Sequence, residues 1–114
     1  MQITIVDAAG NTAKVVLNGK LDIAGAEKIA LPLATLAGGK SGILIDMTEV
    51  TFLASIGIRH LVMASKALAR RGGRLVLLNP NPLVTDVLTT SGVIELLPIA
   101  RNDAEAAAAL APGT

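Results

Sequence analysis

Few residues in this chain could do chemistry, and most of them fall close together. Ser55 opens a Ser-Ile-Gly stretch, and the single histidine, His60, follows little more than one helical turn later. Asp46 and Glu49 precede them, and Asp22 lies further upstream. A hydrolytic site needs a nucleophile, a base and a group that orients the base. Ser55 and His60 supply two of these. No carboxylate is identifiable as the third, so His60 reads as a solvated surface histidine. Metal chemistry is no better served. With one His and no Cys, only carboxylates are left, and Asp22, Asp46 and Glu49 do not form an ordered ligand loop. Gly38-Gly39 and Gly72-Gly73 follow predicted helices instead of preceding them, so they read as helix stops and not as phosphate cradles. No catalytic residue, metal site or cofactor is therefore expected, and the reading is of a protein that is not an enzyme. Asp46, at the end of an apolar run, reads as structural.

Ser55 itself has two compatible readings. As a helix N-cap, its hydroxyl would accept a hydrogen bond from an otherwise unpaired backbone N–H. As a phosphorylation site, it would place a phosphate against unpaired N–H groups and the positive end of the helix dipole, where the fold can hold it. A cap hydroxyl at a helix tip is open to solvent, so one residue can serve both ends.

The elements that position Ser55 are a short apolar strand, Ile43 to Asp46, a connection over 47–54, and a helix from Ile56 to Arg71. The strand is apolar on both alternating sides, which predicts burial on both faces. In the helix, Ile58, Leu61, Val62, Ser65, Leu68 and Ala69 recur at three and four and form the predicted core side. Ile56, Arg59, His60, Met63, Lys66, Ala67 and Arg70 fall opposite. Two large apolar groups on a wet face, Ile56 and Met63, flanked by Arg59 and Lys66, are consistent with a docking surface. Arg70 and Arg71 followed by Gly72 suit a helix end with a left-handed cap.

Before this unit, Gln2–Val6 alternates, Ala13–Leu17 is a strand rich in Val, and the turn residues Ala8-Ala9-Gly10-Asn11 between them imply an antiparallel hairpin. A helix is predicted from Ala24 to Ala37, with Asp22 at its N-terminus. Pro32 predicts a kink or two short pieces there. After the central helix, Arg74–Leu78 reads as a strand, joined by a right-handed crossover to the one before it. A helix from Pro82 to Thr90, capped by Asn81, is expected to bury Leu83, Val84, Val87 and Leu88. A short strand near Ile99 follows. Asn102 and Glu105 then resemble a capping box that opens a last helix, Asp103 to Leu110, and residues 111–114 are predicted to fray.

The order β-β-α-β-α-β-α-β-α predicts an α/β fold: a mostly parallel sheet of four to five strands, an antiparallel first strand and about four helices. At 114 residues, one domain over 1–114 is expected. Hydrophobic residues make up 52% of the chain, yet there is one Phe and no Trp or Tyr, so the core must be aliphatic. No apolar run reaches membrane-span length, and no signal segment opens the chain. With the absence of Cys, this favours a cytoplasmic protein without membrane insertion. A net charge of +1, a pI near 8.2 and no aromatic pair for base stacking argue against direct nucleic-acid binding.

Three stretches carry a resemblance. Gly19-Lys20-Leu21-Asp22 is similar to a Gly-x-Leu-Asp motif after a second strand. The segment 45–53, Ile-Asp-Met-Thr-Glu-Val-Thr-Phe-Leu, is similar to apolar-Asp-Leu-x-x-Val-x-Phe-apolar. Ala54-Ser55-Ile56-Gly57 is similar to an Asp-Ser-[Ser/Thr]-Gly helix start. In this order and spacing, they resemble the STAS-domain family, in its small stand-alone bacterial form of anti-sigma factor antagonists. The resemblance implies phosphorylation at Ser55 by a partner that is both anti-sigma factor and serine kinase, of the histidine-kinase-like ATPase type. The unphosphorylated form would bind that partner, phosphorylation would release it, and a serine phosphatase would reset the switch. It implies a partner surface built from Asp22, Ile56, Gly57, Arg59, Met63 and Lys66. Ala54 stands where the family usually has Asp, and Ile56 where it has a second hydroxyl. That departure gives weight to an alternative: an unphosphorylated STAS interaction subunit of an ABC lipid-transport system or another regulatory complex.

Overall fold

The computed structural model describes residues 1–111. Its elements are β1 (Gln2–Ala8), β2 (Thr12–Leu21), α1 (Ile23–Gly39), β3 (Gly42–Leu53), α2 (Ser55–Ala69), β4 (Arg74–Leu78), α3 (Pro82–Thr90), β5 (Ile99–Ala100) and α4 (Asp103–Leu110). They form one five-stranded sheet in the order β1-β2-β3-β4-β5. β1 pairs antiparallel with β2, and every later pairing is parallel. The element order and the mixed sheet are those expected from the sequence.

Alternation along β3 sorts the two layers. Ile43 and Ile45 join Leu75 and Leu77 of β4 in a core beneath α1, α2 and α3. Leu44, between them, joins Val76, Leu78 and Ala100 on the opposite face, which α4 covers with Ala106. A strand buried on both sides has no polar period, which is why this stretch reads as a continuous apolar run. The core is aliphatic, and the one aromatic, Phe52, is 50% exposed.

Local signals place several boundaries where the sequence predicts them. Asn81 caps α3, its Oδ1 accepting from Val84 N at 2.8 Å, with Pro82 in the first turn. Asn102 caps α4, accepting from Glu105 N at 2.9 Å, while Glu105 Oε1 accepts from Arg101 N at 3.1 Å. At the end of α2, Gly72 takes φ +78°, and Gly73 N donates to Leu68 O at 2.8 Å. This is the left-handed stop expected of the Gly pair.

Four expectations are overturned. β3 does not end at Asp46. It continues to Leu53, because β2 also runs on to Leu21 and the two stay paired through register shifts at Val16/Asn18 and Gly19/Lys20. One helix runs through Pro32, so of the two outcomes expected there, a kink or two short pieces, the second does not occur. The carbonyl that Pro32 cannot bond belongs to Lys28, an exposed residue where water can take its place. Leu83 and Val87 of α3 are exposed, and only Val84 and Leu88 are buried there. In α2, Ala69 is exposed, and Gly57 and Ala64 join the core side instead. Residues 112–114, within the segment expected to fray, lie outside the described residues.

Candidate functional site

Three of the segments singled out in the sequence meet at one end of the sheet. β2 and β3 finish side by side, Lys20 opposite Phe52 and Leu21 opposite Leu53. Each strand then feeds a helix, so the tips of α1 and α2 emerge together from the C-terminal edge of the sheet. Two contacts lock the tips. Ala54 N donates to Leu21 O at 2.9 Å. Gly57 lies against the Leu21 side chain so closely that a Cβ there would sit 2.7 Å from Leu21 Cγ. Gly57 is buried, and its missing side chain lets α2 approach β2.

The tip of α1 is capped. Asp22 Oδ1 accepts from Gly25 N at 2.9 Å, and Asp22 O accepts from Ala26 N at 2.8 Å. The half-buried Asp22 carboxylate is thus engaged with its own helix. The tip of α2 is different. The cap position belongs to Ala54, which makes no side-chain cap bond, and Ser55 is the first helical residue. The N-cap reading of Ser55 is therefore off by one residue. The hydroxyl is exposed, on a helix whose first turn has unpaired N–H groups and no acidic residue.

From Ser55 the exposed face of α2 continues through Arg59, Met63 and Lys66, with Ile56 half-buried at its start. Met63 is 55% exposed. A shallow groove runs along this line, from Ser55 past Arg59 and Met63, and is closed on the far side by Ser91 and Val93 after α3. Among the described residues the ion pairs are Lys14–Asp46 at 3.9 Å and Lys40–Asp7 at 3.1 Å. The cations of α2 take part in neither.

Two further surface residues at this end are not among those the sequence assigns to the partner surface. Ile23, the first residue of α1, is 69% exposed, and Phe52, near the end of β3, is 50% exposed. Ile23 opens α1, and Phe52 lies just before α2, so both belong to the segments that lead into the helix tips. A signal for Phe52 exists: it is the only aromatic in the chain, and it falls at an outward position of a strand whose polar composition suggests a loop.

The remaining candidates have structural roles. Asp46 Oδ1 accepts from Thr48 N at 3.0 Å and from Thr48 Oγ1 at 2.7 Å, which ties down the middle of β3. Ser65, buried in α2, donates to Leu96 O at 2.6 Å and so holds the segment before β5. His60 is half-buried and has no carboxylate partner among the described residues. No group of three His, Cys, Asp or Glu side chains converges among the described residues. No helix among them is long and apolar enough to cross a membrane.

Comparison with known proteins gives this geometry its context. A family model described as the STAS domain matches residues 4–106. Over 94 residues, covering 82% of this chain and 80% of the relative, the sequence is 33% identical to the "Putative anti-sigma factor antagonist BtrV" of Bordetella bronchiseptica. The fold is similar to that of the anti-sigma factor antagonist SpoIIAA in its unphosphorylated form, with a TM-score of 0.79, 26% identity and 93% of each chain covered. It is also similar to the Bacillus cell fate determinant SpoIIAA in the phosphorylated form, with a TM-score of 0.73, 25% identity, and 94% of this chain and 97% of that one covered. A family model spanning nearly the whole chain and a full-length structural match agree with the three motifs that meet at the helix tips: the chain belongs to the STAS-domain family.

Proposed function

We propose that this chain is an anti-sigma factor antagonist that works by partner switching. The observation that carries the reading is the exposed Ser55 hydroxyl at the uncapped tip of α2, at the head of the surface line Ile56, Arg59, Met63 and Lys66. The unphosphorylated protein would bind an anti-sigma factor that is also a serine kinase of the histidine-kinase-like ATPase type. Ile23 and Phe52 would widen the apolar contact beside Ser55. Phosphorylation would add about two negative charges to that surface and desolvate badly against an apolar or acidic partner face. The fold would survive the modification, because the phosphate faces unpaired N–H groups and the positive helix end. The similarity to a protein known in both phosphorylated and unphosphorylated forms supports this. A serine phosphatase would restore binding. The chain itself needs no catalytic group for this role, and a cytoplasmic setting follows from it.

Ala54 favours a second reading. It leaves the cap without the carboxylate that the family usually supplies. The same surface would then serve a constitutive contact, as an interaction subunit of an ABC lipid-transport or other regulatory complex. Intact-mass spectrometry of protein from its native host, with and without phosphatase, separates the two. A phosphatase-sensitive gain of one phosphate on Ser55, together with loss of partner capture by Ser55→Asp and its retention by Ser55→Ala, is expected. An unmodified mass under all growth conditions, with co-purification of an ATPase subunit, would replace switching by the constitutive reading.

A further inference from the structure

The trough between α1 and α2 is a second surface feature of a different kind. Its floor is made of small side chains, Ala34 and Ala37 from α1 and Ala64 and Ala67 from α2, and it is an open hollow of about 680 Å³. Small residues facing each other across two helices leave a hollow where larger ones would have filled it. One wall carries Leu31, 76% exposed, and the other carries Met63, 55% exposed. Large apolar groups this exposed, flanking an apolar floor, mark an interaction site more often than chance. The rim on the α2 side carries the cations Lys66 of α2 and Arg70 at its C-cap, and no carboxylate lines the trough among the described residues. α2 contains no acidic residue to neutralise them. The lined stretch of α2 and its C-cap, from His60 to Arg70, is roughly 15 Å long, or about three helical turns.

We propose that this trough binds an acidic amphipathic helix of a partner protein. Large apolar residues at helical spacing would sit on the alanine floor between Leu31 and Met63, and Asp or Glu on one flank would meet Lys66 and Arg70. Two other occupants fit less well. A second copy would use the same patch on both sides and set Lys66 and Arg70 against their own kind. A bilayer surface cannot reach the floor of a hollow between two helices. Met63 and Lys66 form the crest shared with the Ser55 surface, so Leu31 and Ala34 on α1 are what define the trough. Lys66 lies roughly 16 Å along α2 from Ser55, and the site does not depend on the state of Ser55.

The test uses the full chain, labelled for NMR, and a synthetic peptide of about fourteen residues with Leu at helical spacing and Glu on one flank. The peptide is expected to shift the resonances of Ala34 and Ala67. Ala34→Glu, at an exposed position, should abolish the shifts without unfolding the protein. The pair Lys66→Glu and Arg70→Glu should weaken binding by at least about tenfold, and Ser55→Asp should leave it unchanged. A peptide with Lys in place of Glu should not bind. Absence of shifts at the trough, or equal binding of the Lys peptide, would overturn the proposal. So would a concentration-dependent dimer abolished by Ala34→Glu, which would assign the trough to a second copy. Sedimentation with anionic vesicles that depends on Leu31 would assign it to lipid and overturn the proposal too. None of these outcomes bears on switching at Ser55, which has its own variants.

Discussion

The tips of α1 and α2 leave the same edge of the sheet and touch through Leu21, yet they are finished differently. Asp22 closes the first with a carboxylate bonded to Gly25 N, and no hydroxyl is presented there. Ala54 leaves the second open, with Ser55 exposed at its first turn. One helix start is committed to holding the fold. The other keeps its unpaired donors and positive end available to whatever arrives. The difference teaches how a small domain can carry a charge-sensitive surface at little cost in stability: the capped tip and the packed strand beneath it anchor the uncapped one.

Four substitutions would break or sharpen this contrast. The largest effect should come from Leu21→Ala. Leu21 is fully buried and bears on both tips, so a loss of about 2–5 kcal/mol is expected in urea unfolding. A loss below that range would mean that the two tips are not held through this contact. Asp22→Ala should cost about 1 kcal/mol by removing the α1 cap. If it costs nothing, the capped tip is no better anchored than the open one. Ala54→Asp should move in the opposite direction, adding about 1 kcal/mol by giving α2 the cap it lacks; no gain in the unfolding midpoint would show that water already satisfies those donors. The smallest effect on stability should come from Ser55→Asp, a gain of about 0.3–1 kcal/mol that shrinks with added salt, even as partner capture is lost. A destabilised Ser55→Asp protein would remove the argument that this tip tolerates negative charge.

Much of this arrangement is legible in the sequence alone. Asn81 with Pro82, Asn102 with Glu105, and Gly72 after Arg71 are local signals, and each depends on residues within one turn. The apolar run of β3 and the aliphatic core are equally plain. What the sequence hides is non-local. Thr48 and Glu49 look like loop residues until β2 is seen to follow β3 past two irregularities and to keep the ladder going. Pro32 looks like a break until the Lys28 carbonyl is placed on the wet side of α1. Leu83 and Val87 match a helical core stripe, but α3 is short and meets the sheet along one line only. At the site, Ser55 and its exposed neighbours are legible as types and spacing. The one-residue difference between cap and first turn is not, because it is set by the Ala54–Leu21 hydrogen bond and the Gly57 packing.

The long parallel pairing of β2 with β3 also bears on how the chain reaches this state. The β1–β2 hairpin is closed by a short turn and can form as soon as both strands exist. The other edge of β2 has no partner until β3 is present, since Thr12 pairs with Gly42 and Leu21 with Leu53 across the whole of α1. On the ribosome, a Val-rich strand edge therefore waits unpaired while α1 and β3 are still being made. The pairing that finally covers it must first meet the entropy of closing that loop, as the parallel pairing of β3 with β4 must across α2. The same pairing ends in the segment that sets the two helix tips together, so the surface proposed for docking is assembled only once β2 and β3 have paired.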